Sequence, residues 1–155
     1  MTIVGRALTA LAIVVATAGS ASAAVGVTDG DTLKIDGERV RLWGVDAPEM
    51  RQQCTRAGKP FDCGREARMA LARLVAGRTV SCTAVDVDRY KRTVARCTAA
   101  GADIGGEMVR IGWALDYRQY SHGYYGPQED RARRAGLGLW GDSVSFTNPW
   151  EWRRR

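Results

Sequence analysis

Residues 25–45 read VGVTDGDTLKIDGERVRLWGV, and this stretch decides the fold class. Val25 to Thr28 and Asp31 to Ile35 are short runs of β-favouring side chains. Between Ile35 and Glu38 stands Asp36-Gly37, a pair suited to the two-residue hairpin turn, both of whose central positions adopt positive φ. Glu38 to Val45 resumes the β pattern, so the chain opens as a β-meander.

Downstream, helical and extended patterns alternate. Ala67, Ala70, Leu71, Leu74 and Val75 recur at helical spacing and Gly77 follows as a C-terminal cap, which predicts a helix over Gly64 to Ala76. Arg78 to Val87 and Thr93 to Thr98 are rich in Val, Thr and Cys and flank the polar stretch Asp88-Arg89-Tyr90-Lys91, a second hairpin. Because (82 + 97)/2 = 89.5, a turn centred on Arg89-Tyr90 sets Cys82 opposite Cys97. A cross-strand disulfide follows, leaving Cys54 to pair with Cys63. Ile104, Met108 and Ile111 predict a short second helix before Gly112, weakened by Gly105 and Gly106. A third helix opens at Pro127, with Glu129 and Asp130 early and Arg131, Arg133 and Arg134 late, the order the helix dipole favours. The last residues, Pro149-Trp150-Glu151-Trp152-Arg153-Arg154-Arg155, form an aromatic and basic tail. Its tryptophans are expected to dock on the body, with a nucleic-acid or membrane-surface contact as the alternative.

Length and composition bound the function. The 155 residues suit one domain, and 45% hydrophobic with 26% charged residues excludes collagenous, low-complexity and wholly disordered chains. With 23 Lys+Arg against 17 Asp+Glu, the net charge is +6, which favours anionic partners. Residues 7–18 form a 12-residue apolar run after Arg6, and Ala21-Ser22-Ala23 has the small-x-small pattern of a cleavage site. The expected plan is a removed leader over residues 1–23, a domain over 24–142 and the tail over 143–155. Four cysteines, none in a CxxC pair, agree with export as two disulfides and not with zinc. The single histidine, His122, reads as an exposed loop residue. The expected location is the periplasm or the medium, without a membrane anchor once the leader is gone.

Three polar segments carry chemistry: Asp29-Gly30-Asp31-Thr32, Arg41 to Glu49, and Asp88-Arg89-Tyr90-Lys91-Arg92. Each alone is an ordinary turn. Together they hold what phosphodiester hydrolysis needs. Asp31 and Asp46 offer hard oxygen ligands for a divalent cation, Glu49 a general base, and Arg41 and Arg92 planar forks for the phosphorane.

These segments, with Met108-Val109-Arg110-Ile111-Gly112-Trp113-Ala114, resemble the signature of the staphylococcal nuclease (thermonuclease) family over about Val25 to Trp140. The resemblance implies an α+β, mainly β architecture: an OB-fold, a five-stranded Greek-key barrel with three helices. It also implies a monomeric, calcium-dependent endonuclease that cuts DNA and RNA to 3′-phosphate ends. By the same resemblance Asp31, Asp46 and the main-chain oxygen of Ala47 hold Ca2+, Glu49 activates water, and Arg41 and Arg92 bind the scissile phosphate. Arg89 and Tyr90 face a neighbouring nucleotide, and Tyr120 is a stacking candidate. Two positions depart from the family: Ala47 replaces a frequent Thr, and Lys91 a usual Gly whose turn position can require positive φ. A non-catalytic nucleic-acid-binding OB module is the alternative reading.

Overall fold

The computed structural model describes residues 24–155. The expected leader over residues 1–23 lies outside the described residues. The chain runs β1 (Val25–Asp29), β2 (Thr32–Ile35), β3 (Glu38–Leu42), β4 (Val45–Asp46), β5 (Cys54–Arg56), β6 (Lys59–Phe61), α1 (Cys63–Val75), β7 (Val80–Val87) and β8 (Thr93–Ala99). It continues through β9 (Ala102–Asp103), α2 (Ile104–Arg110), β10 (Leu115–Asp116), α3 (Arg118–Ser121), α4 (Gly126–Arg134), a 3-10 turn (Gly138–Trp140), β11 (Val144–Ser145) and α5 (Pro149–Trp152).

Six strands form the main sheet, five of them in the order β1-β2-β3-β8-β7 and the short β9 paired antiparallel to β8 off this path. All pairings along it are antiparallel except β3 with β8, the parallel step that gives an OB-fold its Greek-key order. The expected tight turn is present, with Asp36 at φ 49° and Gly37 at φ 92° joining Ile35 to its partner Glu38. Helix α1 covers the open face through Ala67, Ala70, Leu71 and Val75, which pack with Leu33, Leu42, Ile104 and Met108 in one core. Burying each of the larger aliphatic side chains contributes about 1.5–3 kcal/mol.

Both disulfides match the expectation. Cys82 pairs with Cys97 at directly opposed positions, Cα atoms 4.1 Å apart, and Cys54 with Cys63 at 5.6 Å. The hairpin centre needs a correction. Cys82↔Cys97 and Ala84↔Ala95 sum to 179, whereas Asp86↔Val94 and Val87↔Thr93 sum to 180, because a bulge between Ala84 and Asp86 adds one residue to β7. The tip therefore centres on Tyr90.

The helix count is also corrected. To the three expected helices the structure adds α3 and α5, each of four residues and each too short to show a period in the sequence. Trp150 of α5 docks as expected, in a second core with Leu115, Leu139, Phe61 and the Cys54–Cys63 bridge. Among the described residues no helix is long and apolar enough to cross a membrane.

Candidate active site

The site grows from the turn after β1 and from the end of β3. Asp31 is buried where β1 gives way to β2, and its main-chain oxygen accepts from Leu42 N at 2.8 Å, which clips the turn to β3. Arg41 sits one residue earlier on β3, opposite Thr32. After Leu42 the chain reverses through Gly44 at φ 72° and enters β4, whose Asp46 is fully buried opposite Leu115 of β10.

These three side chains meet. Arg41 Nη1 donates to Asp31 Oδ1 at 3.3 Å, and its Nη2 donates to Asp46 Oδ1 at 2.9 Å and to Val45 O at 3.3 Å. Ala47 N donates to the other Asp31 oxygen at 3.1 Å. A guanidinium has five N–H donors, so these three bonds leave two for another anion.

Electrostatics follow the packing. Burial raises the Asp31 pKa, but the Arg41 charge and the Ala47 N–H outweigh it and hold the carboxyl below its ordinary 3.8. Burial pushes Asp46 up to about 6, with Asp31 adding to the rise and two guanidiniums opposing it. Asp46 is thus still ionised at neutral pH. Asp29 is pushed up to about 7, first by burial and then by the neighbouring Asp31. A pair of buried carboxylates this close calls for more positive charge than one arginine gives.

Part of that charge comes from the tail. Arg153 donates from Nη1 to Asp46 Oδ1 at 2.9 Å, from Nη2 to Asp46 Oδ2 at 2.8 Å, and from Nη1 to Glu49 Oε1 at 2.7 Å. Glu49 itself lies in the loop after β4, its N–H held by Gln52 Oε1 at 3.2 Å. Gln52 is fully buried, and its amide nitrogen reaches Thr147 O at 2.6 Å, so one side chain fastens the Glu49 loop to the C-terminal segment.

The structure brings Asp31, Arg41 and Asp46 together, links Glu49 to them through Arg153, and builds Ala47 into the same cluster. Arg92 is not brought into this cluster; it precedes Thr93, whose register partner on the adjacent β3 is Val40. Its side chain is held elsewhere. Asp88 accepts from Arg92 Nε at 2.7 Å and from the main-chain N–H groups of Tyr90 and Arg92 at 2.9 Å each. Lys91 does take positive φ, at 60°, a conformation costing roughly 1–2 kcal/mol, and the three bonds to Asp88 offset it. Both Arg92 Nη groups remain without a protein partner among the described residues.

Arg89 and Tyr90 lie exposed at the hairpin tip, with the Arg89 guanidinium 4.8 Å from the Tyr90 ring centre. Tyr120 is 53% exposed and meets Tyr117 edge-on at 4.9 Å. Tyr117, in turn, lies flat on Trp150, with ring centres 5.3 Å apart and planes 4° from parallel. His122 is an exposed residue, as expected.

The family model described as staphylococcal nuclease homologue matches residues 39–142. The chain belongs to the staphylococcal nuclease family. Membership makes it a hydrolase of the nuclease class. It is 36% identical over 137 residues to an "uncharacterized endonuclease" of Escherichia coli, covering 84% of this chain and 83% of that protein. A protein of the same name in Haemophilus influenzae is 34% identical over 137 residues, covering 84% and 71%. The succinoglycan biosynthesis protein ExoI of Rhizobium meliloti is 40% identical over 129 residues, covering 79% and 68%.

Four contributors to the site escaped sequence reasoning: Gln52, Asp88, Tyr117 and Arg153. Asp88 had a signal, since an Asp at the first position of a turn accepts the N–H groups of that turn. Gln52 had none, because a buried polar side chain inside a polar loop looks like its neighbours. Arg153 stands 107 residues from Asp46, and its three-arginine run reads locally as a solvated end.

Proposed function

We propose that the chain is an exported, calcium-dependent endonuclease that hydrolyses phosphodiester bonds of DNA and RNA to 3′-phosphate products. The observation that carries this reading is the meeting of Asp31, Arg41, Asp46 and Glu49, with the Asp31 and Asp46 carboxyls buried. The endonuclease names of two relatives support it.

The donor set fits a hard divalent ion. Asp31 and Asp46 are buried oxygen donors of like charge, and a guanidinium already stands where a cation is needed. Among the described residues no third acidic, His or Cys side chain completes a cage. By the family resemblance the main-chain oxygen of Ala47 would be a further ligand, with water and substrate phosphate completing the set. A calcium ion held by Asp31 and Asp46 would supply positive charge to the attacked phosphate.

The chain's own groups do the rest. Glu49 takes the proton of the attacking water. Arg41 turns its two remaining donors, and Arg92 its free Nη groups, to the non-bridging oxygens, where negative charge grows in the transition state. Arg89, Tyr90 and Tyr120, exposed and aromatic or cationic, contact flanking nucleotides. The domain is assigned to residues 24–142 with residues 143–155 as its tail. Residues 1–23 are assigned as a leader removed on export, in keeping with two disulfides. The protein acts as a monomer.

The test is cleavage of both polymers by the exported protein, with calcium and with excess chelator, followed by end-group analysis. Calcium-dependent release of 3′-phosphate ends is expected. Retention of DNA without cleavage would instead favour a binding-only module, and a mass retaining Met1 would contradict removal of the leader.

A further inference from the structure

The tail does more than close the chain. Helix α5 is docked by contacts of its own: Pro149 is buried, Trp150 belongs to the second core and stacks on Tyr117, and the preceding Thr147 accepts from buried Gln52 at 2.6 Å. Arg155 Nη2 donates to Thr147 Oγ1 at 3.1 Å, bracing the segment from its far end. This anchorage fixes the backbone of Arg153 and sends its guanidinium to Asp46 and Glu49.

The pairing uses the oxygens a metal needs. Both Asp46 oxygens accept from Arg153, in a bidentate fork at 2.9 and 2.8 Å, and one of them also accepts from Arg41. A divalent ion binding carboxylate oxygen at about 2.3–2.6 Å would stand beside the Arg153 guanidinium with like charge and contested lone pairs. The two cations exclude one another. The Arg153 side chain is 32% accessible, so it can leave while α5 stays docked by Trp150.

We propose that Arg153 is a tethered cation that competes with the divalent ion for Asp46 and Glu49, so that the docked C-terminal helix sets how much metal the enzyme needs. The inference rests on the metal reading of the site given above. In the absence of metal Arg153 keeps the buried carboxylates neutralised and the Glu49 loop in place. As metal binds, the guanidinium swings to solvent or to the substrate phosphate. Such a device keeps the site closed where calcium is scarce and opens it where calcium is abundant.

Calcium binding by the exported protein, measured by titration calorimetry, tests this directly. Wild type is expected to bind with Kd on the order of 10⁻³ M, the weak end for extracellular sites. Arg153→Ala and Arg153→Gln are expected to bind about tenfold more tightly, a coupling within the usual range for linked sites. Arg153→Lys should fall between, because a single ammonium cannot hold both Asp46 oxygens, and Arg154→Ala, at an exposed neighbouring position, should match wild type. Unfolding curves in chelator establish that each variant is folded, and the Gln variant serves if the Ala variant is not. Equal or weaker calcium binding by both neutral variants overturns the competition, and calcium-dependent cleavage by wild type in the same preparation leaves the nuclease reading standing. Calcium binding by none of the proteins overturns the competition and the calcium assignment together.

Discussion

Gly64→Ala isolates the packing that aims Glu49. Gly64 lies in the first turn of α1, against the loop that carries Glu49. A Cβ on residue 64 would fall 2.6 Å from the Glu49 carbonyl carbon and 3.0 Å from the Met50 carbonyl carbon, and nearer still to the Glu49 carbonyl oxygen. All three are main-chain atoms that cannot rotate away. Restoring a contact of 3.4 Å requires a shift of at least 3.4 − 2.6 = 0.8 Å between helix and loop. Overpacking of this kind costs about 1–3 kcal/mol. Replacing a helical glycine returns about 1 kcal/mol, so the net loss of stability is about 0–2 kcal/mol. Activity should suffer more, because a displacement of about 1 Å at a reacting group can cost on the order of 10²-fold in rate. The assay is single-turnover cleavage of a labelled oligonucleotide, with urea unfolding on the same samples. Gly26→Ala is the control, since its Cβ would meet Lys34 Cβ at an ordinary 3.7 Å. A Gly64→Ala protein as stable as wild type and within twofold of its rate would refute the claim that α1 positions the Glu49 loop.

Gln52→Leu removes the side chain that ties Glu49 N–H to Thr147 O and leaves both groups without their partner; a loss of about 2–4 kcal/mol is expected in urea unfolding. Arg41→Lys and Arg92→Lys should each lower the cleavage rate by on the order of 10³–10⁵, because an ammonium cannot donate as a fork to a phosphate; a fall below tenfold would make either residue a mere surface charge. Asp88 titrates below its ordinary 3.8, since burial's upward push is outweighed by the main-chain N–H groups of the turn and by Arg92. A depressed carboxyl stabilises the fold above its unfolded pKa and loses that contribution as pH falls. The stability gap between wild type and Asp88→Asn should therefore close as pH drops through about 4 and below, followed by thermal unfolding across a pH series.

What the sequence made legible was local. Asp36-Gly37 specified its turn through the backbone angles those residues tolerate, and the spacing of Cys82 and Cys97 about a polar tip specified a disulfide. The bulge at Val85 escaped notice because an extra residue in an exposed strand breaks no apolar alternation. The pairing of β4 with β10, two residues against two, joins segments about seventy residues apart and leaves no pattern in either. The candidate site divides along the same line. Asp31, Arg41, Asp46 and Glu49 lie within 19 positions, so their motifs could be read together. Arg153 arrives from the opposite end of the chain through the packing of Trp150, which no local signal encodes.

The most direct test of the proposed chemistry is Glu49→Gln, measured for both single-turnover rate and DNA affinity. The substitution keeps the shape of the side chain, and the only ion pair it removes, to Arg153, is partly exposed and contributes little to folding. If Glu49 takes the proton from water, the rate falls by roughly 10²–10⁴ while the dissociation constant for DNA stays within about threefold. A variant that cleaves at the wild-type rate, or one whose lost activity is wholly explained by weaker binding, would contradict it.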